Sequence, residues 1–196
     1  MPAPALKVLA FNCSLKSAGG REKSSTDVLL KQLLDALATH GAKGEIIRAV
    51  DHDIKPGVKS DEGEGDAWPL LQHALGHARR LAERVLERMD AFLEETDARG
   101  RMPSYGKVAL AVVVGNEDGA HHTAAELFQA LTEVGFTIPA GGVTYWVGEA
   151  MGGKEYKDFW KTPKAVAEWT PLLASNAAHL ARLLKKQKYP GIKGGR

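Results

Sequence analysis

KVLAFNCSLK, residues 7–16, decides how the rest of the chain is read. The run from Lys7 to Phe11 ends at Asn12-Cys13-Ser14-Leu15-Lys16, and a Ser/Gly-rich loop then reaches Ser24-Ser25-Thr26, where a helix opens. A buried strand that feeds a hydroxyl- and glycine-rich loop and then a helix N-terminus builds an anion site. The first backbone N–H groups of a helix lack intrahelical partners and carry partial positive charge. Phosphate is the natural ligand of such a site. Ser14, Ser24, Ser25 and Thr26 offer hydroxyl donors, Lys16 a point charge, and Gly19 and Gly20 a backbone able to approach closely or turn at positive φ. The competing reading is that Ser25 or Thr26 only caps the helix and the loop only connects. The segment carries neither GxGxxG nor GxxxxGK[ST], which excludes two nucleotide loops.

Working outward, Val28, Leu29, Leu33, Leu34 and Leu37 follow helical spacing from Asp27 to His40, and Gly41 ends the pattern. Glu45 to Val50 reads as a second strand, so the opening is strand, helix, strand, a unit that crosses over right-handedly within a parallel sheet. Asp51 to Asp66 is polar and reads as a solvated loop. Its acidic residues lack the order of a calcium loop. From Trp68-Pro69, apolar residues at Leu71, Ala74, Leu75, Ala78, Ala82, Val85, Met89 and Phe92 predict one long helix interrupted only by Gly76. Arg84 and Arg88 beside Glu83 and Glu87 read as an exposed ladder, and His73 and His77 as surface histidines rather than metal ligands.

Lys107 to Val114 is the strongest strand pattern, suited to burial on both faces. It delivers a second polar loop, Gly115-Asn116-Glu117-Asp118-Gly119, to a helix carrying Ala125, Leu127, Phe128, Leu131 and Val134. Two such loops at the carboxyl edge of one sheet lie where open α/β folds place ligands. Phe136 to Trp146 reads as the last strand, with Pro139 and Gly141-Gly142 marking an edge or bulge. Gly148 to Asp158 reads as a loop. Thr162-Pro163 and Thr170-Pro171 read as cap and first-turn pairs, predicting a short helix and then a longer one ending near Lys186. Residues 1–188 form one predicted domain and 189–196 a flexible basic tail.

Hydrophobic residues at 44%, charged residues at 26% and a net charge of +2 describe a globular protein without the basic face of a nucleic-acid binder. Cys13 is the only cysteine, which excludes an internal disulfide and suits a reducing cytoplasm. At the end of the first strand it reads as a small packing residue. No apolar run approaches the roughly 20 residues of a membrane span, so a cytoplasmic protein without membrane contact is expected.

FNCSLK with the later SST, VDHDIKPGV, RVLERMDAFL, VVVGNEDGAHHTAAELFQAL and TYWVGEAMGG together resemble the flavodoxin-like NADPH-dependent FMN reductase family, from Lys7 to about Asp158. The resemblance implies a flavodoxin-like three-layer α/β sandwich with a parallel sheet. It also implies an oxidoreductase passing electrons from NAD(P)H through bound FMN to a quinone, flavin or similar small acceptor. By that likeness Ser14, Lys16, Ser24, Ser25 and Thr26 line the FMN phosphate, Gly115, Asn116, Glu117, Asp118 and Gly119 border the ribityl chain and ring, and Trp146 lies near. The flavin does the hydride chemistry, so no acid–base triad is expected. Relatives of this fold commonly associate, which implies a homo-oligomer. One departure stands out: Leu75 runs straight into Gly76-His77-Ala78-Arg79-Arg80, with Arg79 and Arg80 where the family carries paired serines. About a dozen residues, the size of a strand and short loop, are missing there. The expected outcome is a sheet of four strands, Lys7–Phe11 pairing directly with Lys107–Val114, and two family helices fused into one. A pocket short of one wall leaves a second reading, a flavodoxin-like protein that has lost flavin and serves as a binding or dimerisation module.

Overall fold

The computed structural model describes residues 5–71, 79–116 and 118–192, and over 79–82 the backbone alone. Strand β1 (Leu6–Asn12) leads to helix α1 (Ser25–Ala38) and strand β2 (Ala42–Arg48). Then come α2 (Trp68–Leu71), α3 (Arg79–Met89), β3 (Ala111–Gly115), α4 (Ala120–Glu133), β4 (Val143–Val147) and α5 (Lys164–Lys186). Short 3-10 turns sit at Ala49–Asp51, Asp90–Leu93 and Tyr156–Asp158.

The predicted β1–α1–β2 unit is present. Leu29, Leu30, Leu33 and Leu37 form the buried stripe of α1, and Gly41 turns the chain at a φ of 72° into β2, a value reached at little cost only without a Cβ. β2 runs parallel to β1 with Leu6 opposite Ala42 and Asn12 opposite Arg48. β3 and β4 are likewise parallel, Ala111 opposite Val143 and Gly115 opposite Val147. The apolar run ahead of β3 pairs loosely through a bridge from Val108 to Thr137, and residues 138–141 then bulge out before Gly142 accepts from the Ala111 N–H at 2.9 Å. This is the interruption that Pro139 and Gly141 predict.

Alternation along the strands sorts the helices into two layers. Leu6 and Val8 of β1, Val108, Leu110 and Val112 pack with Leu33 and Leu37 of α1 and Leu173, Ala174 and Ala177 of α5. Phe11 and Ile47 face the other way, into a core of Cys13, Ile54, Trp68, Leu71, Val85, Met89, Phe92 and Val134. Early residues of β1 and of the 108–112 run meet the second half of α1, whereas Val114, late in β3, joins the cluster around Leu29 early in α1. Both strand pairs therefore end at the N-terminal end of α1, and their loops share one edge.

Several expectations need correction. Four strands form, but as two parallel pairs, β1–β2 and β3–β4, and among the described residues no ladder joins β1 to β3. α1 and α5 lay one apolar surface across both pairs, so side-chain packing links them. The single long helix is helical at 68–71 and 79–89, and the intervening stretch with His73 and His77 lies outside the described residues. Arg88 is not on an exposed face: it is fully buried, 2.7 Å from the equally buried Asp66 carboxylate, and its guanidinium donates to the carbonyls of Lys55 and Lys59. Asp66 accordingly leaves the solvated-loop reading. It accepts from the backbone N–H groups of Lys55, Glu62 and Trp68, and organises the 53–68 segment around itself. The C-terminal helix is one element of 23 residues with Pro171 inside it. Thr170 does not cap, because it is buried with its hydroxyl 2.8 Å from that of Thr144 on β4. Tyr189 packs edge-on against Tyr105 and shares a hydroxyl contact with Thr137, and Ile192 N–H donates to Arg99.

Candidate functional site

The β1–α1 loop is built around Asn12, the last residue of β1 and fully buried. Its amide nitrogen donates to Ser24 Oγ and Asp27 Oδ1, both at 3.2 Å, while its oxygen accepts from the Ser14 N–H at 2.9 Å. Ser24 is the N-cap of α1, with its Oγ accepting from Asp27 N–H and lying 2.9 Å from Ser14 Oγ. The helix cap is thus Ser24 rather than Ser25 or Thr26. That leaves Ser25 and Thr26 in the first turn, half-buried. Arg48 ties the loop down through the Lys16 carbonyl and the Asp27 carboxylate. The Asp51 carboxylate accepts from Ala18 N–H. The loop is a fixed object, held by side chains from three elements.

Ser25 Oγ faces the 3-10 turn after β4. It donates to Glu155 Oε2 at 3.1 Å and accepts from Lys157 N–H at 3.2 Å. The same carboxylate oxygen lies 2.8 Å from Lys157 Nζ and 3.5 Å from Lys16 Nζ, and Lys16 also lies 3.1 Å from Glu22. The Lys157 hydrogen bond holds the Glu155 carboxyl below the usual range against partial burial, helped by Ser25 and Lys16. The hydrogen bond to Glu22 holds the Lys16 ammonium above its ordinary value. Two cations and the Ser25 hydroxyl converge here on one carboxylate, beside the N-terminus of α1. That donor set has the chemistry of a phosphate cradle.

The second loop begins where Gly115, at the end of β3, accepts from Gly148 N–H at 2.9 Å, and Asn116 follows half-buried. Gly119 takes a φ of 97° as the N-cap of α4, and Asp118 is exposed. Glu117 lies outside the described residues. Trp146 on β4 is half-buried, with its ring 5.6 Å from Tyr156 and 5.5 Å from Phe159. Tyr156 is buried in the cluster with Leu29 and Val166, and its hydroxyl donates to Gln32 on α1. The turn at Glu155-Tyr156-Lys157 therefore joins the two halves of the site, with its charged residues toward the β1–α1 loop and its ring toward Trp146. Sequence reasoning passed over these three residues as loop. The available signal was an aromatic flanked by opposite charges between two strand-end loops, and nothing local says which partners those charges find.

Cys13 is buried, and burial pushes its thiol well above the ordinary value, as a packing residue requires. Among the described residues no group of three histidine, cysteine or acidic side chains is placed to hold a metal ion.

Parallel strand pairs between helical layers, with loops gathered at the α1 N-terminus, define an α/β protein of the flavodoxin-like fold. The crystal structure of RosB with the bound intermediate 8-demethyl-8-formylriboflavin-5'-phosphate matches with a TM-score of 0.81 and 27% identity, covering 94% of this chain and 82% of that one. The 8-demethyl-8-aminoriboflavin-5'-phosphate synthase of Streptomyces davaonensis is 28% identical over 94% of this chain and 80% of its own length. That match runs over 213 residues, whereas 94% of 196 is about 184, so about 29 of its positions face gaps in this chain. A divalent metal cation transporter, MntH, of Mycobacterium bovis is 33% identical over 171 residues, 78% of this chain. This chain spans only 25% of that transporter's length, and among the described residues no helix is long and apolar enough to cross a membrane. No family model matches. The two matches that span 94% of the chain are flavin-related by name or by bound ligand.

Proposed function

We propose that this chain binds a riboflavin 5'-phosphate and is an FMN-dependent NAD(P)H oxidoreductase delivering electrons to a small acceptor such as a quinone or free flavin. The observation that supports it is similarity along 94% of the chain to a protein crystallised with a riboflavin-5'-phosphate derivative. The donor set fits that group. Ser25, Lys16, Lys157 and the first N–H groups of α1 hold the phosphate, with Ser14 and Ser24 fixing the loop and Thr26 beside it. Gly115, Asn116, Asp118 and Gly119 border the ribityl chain and ring, with Trp146 behind them. Bound FMN supplies hydride acceptance and release, and the protein contributes binding, orientation and exclusion of water.

The test is titration with FMN followed by quenching of flavin fluorescence, then oxidation of NADH and NADPH with quinone or flavin acceptors. Binding that weakens at least about tenfold in Ser25→Ala and Lys16→Ala, with nicotinamide oxidation by the loaded protein, is expected. Absence of binding to wild type refutes the reading. A second reading takes the flavin as substrate, favoured by the synthase among the relatives. Mass spectrometry separates the two, since a cofactor returns unchanged after turnover. A homo-oligomer belongs to the same proposal, and light scattering with size-exclusion chromatography tests it.

A further inference from the structure

We propose that the Glu155 carboxylate is an intramolecular stand-in for the ligand's phosphate, and that binding requires its side chain to leave the site. This rests on the riboflavin-phosphate reading and adds a regulatory contact to it. One carboxylate oxygen takes up the anion-binding capacity of the cradle: Lys157 Nζ at 2.8 Å, Ser25 Oγ at 3.1 Å and Lys16 Nζ at 3.5 Å. No residue of the β1–α1 loop supplies this anion. It comes from beyond β4, across a sequence separation of 130 residues from Ser25. A phosphate bearing up to two negative charges cannot share those donors with a carboxylate, because like charges at contact distance repel strongly where water is partly excluded.

The surroundings decide what moves. Tyr156 is 2% exposed, packed with Leu29 and Val166 and bonded to Gln32, so the backbone of the turn is anchored. Asp158 fastens it again by accepting from Glu155 N–H at 2.9 Å. The Glu155 side chain is one-third exposed and has solvent to rotate into. Rotation frees Lys157, Ser25 and Lys16 for the phosphate and gives up the cap that the Glu155 side chain places on the Asp158 N–H, while Tyr156 and the Asp158 carboxylate still hold the turn. Glu22, at 3.1 Å from Lys16, remains as a second, exposed counter-charge. Glu155 and Glu22 thereby balance the charges of Lys16 and Lys157, and smaller anions meet the same competitor.

The experiment titrates wild type, Glu155→Gln and Glu155→Asp with FMN and, separately, with riboflavin, which lacks the phosphate. Glu155→Gln removes the competing charge at constant shape, and Glu155→Asp keeps the charge but retracts it by one methylene. Glu155→Gln is expected to bind FMN at least about tenfold more tightly than wild type, with Glu155→Asp between them and riboflavin affinity unchanged. A purely structural role for Glu155 would weaken both ligands together. Equal or weaker FMN binding in Glu155→Gln, beside measurable binding in wild type, overturns the stand-in and leaves the flavin reading intact. If no variant binds either ligand, both fall. Should Glu155→Gln fail to fold, absence of any gain in Glu155→Asp overturns the stand-in.

Discussion

Replacing Asp66 with Asn keeps the shape of the segment between β2 and α2 and removes its charge. In the native protein the Asp66 and Arg88 side chains are both fully buried, 2.7 Å apart. Asp66 accepts three backbone N–H groups, and Arg88 holds the carbonyls of Lys55 and Lys59 and lies over the Trp68 ring. The variant leaves a buried guanidinium without its anion, which costs about 3–5 kcal/mol. The two carbonyls still solvate Arg88, which favours the lower end. For a chain of this size 1 kcal/mol moves Tm by about 2–4 °C, so the expected loss is roughly 6–20 °C. Circular dichroism melts and urea titrations measure it, and a loss below about 2 °C would refute the reasoning.

The acid limb follows from the same pair. Burial pushes the Asp66 carboxyl up. The Arg88 bond and the N–H groups of Glu62, Trp68 and Lys55 outweigh burial and hold it far below the usual carboxylate range. The unfolded chain, with its carboxyl near an ordinary pKa of about 3.9, then takes up the proton first. The contribution is complete above that value and drains away as pH falls through and below it. The gap between wild type and Asp66→Asn should therefore narrow as pH drops from about 5 toward 2.

Asn12→Ala removes three bonds that fix the β1–α1 loop. It should cost about 2–4 kcal/mol in urea unfolding and weaken FMN binding in the same protein. Pro171 is exposed inside α5, where it removes a helical donor. A helix-interior proline costs about 3 kcal/mol, and a freer unfolded chain offsets up to about 1, so Pro171→Ala should raise Tm by several degrees on a thermal melt. The Cys13 thiol, buried and with its pKa pushed up, should be silent to a chromogenic disulfide reagent in the native state and react fully in urea.

Sequence patterns expose what is local and periodic. The stripe of Leu29, Leu33 and Leu37 and the glycine turn at Gly41 act within a few residues, and α1 stands where its spacing puts it, although its cap is Ser24 rather than Ser25 or Thr26. Arg88 misleads for the complementary reason. Its spacing to neighbouring glutamates describes a solvated ladder, while the partner that buries it, Asp66, lies beyond the helix in a segment whose composition reads as solvent-facing. Thr170-Pro171 satisfies the local rule for a helix start, but Thr144 on β4 takes the hydroxyl that would cap. Glu155 and Lys157 have the same difficulty, since their meaning lies in Ser25 and Lys16 at the other end of the chain.

The division of the strands into two pairs also divides the site. On the proposed reading the phosphate end belongs to β1 and α1, closed by Asn12, Arg48 and Asp51. On the same reading the ring end belongs to β3, β4 and Trp146. Among the described residues no ladder couples the two, so their spacing depends on side-chain packing against α1 and α5 and on the turn at Glu155-Tyr156-Lys157. Side-chain packing yields more readily than a hydrogen-bonded ladder. A ligand that reaches both ends would therefore stiffen this molecule more than it would an unbroken sheet. The turn has bonds to Ser25 and Lys16 at one end and ring contacts to Trp146 at the other.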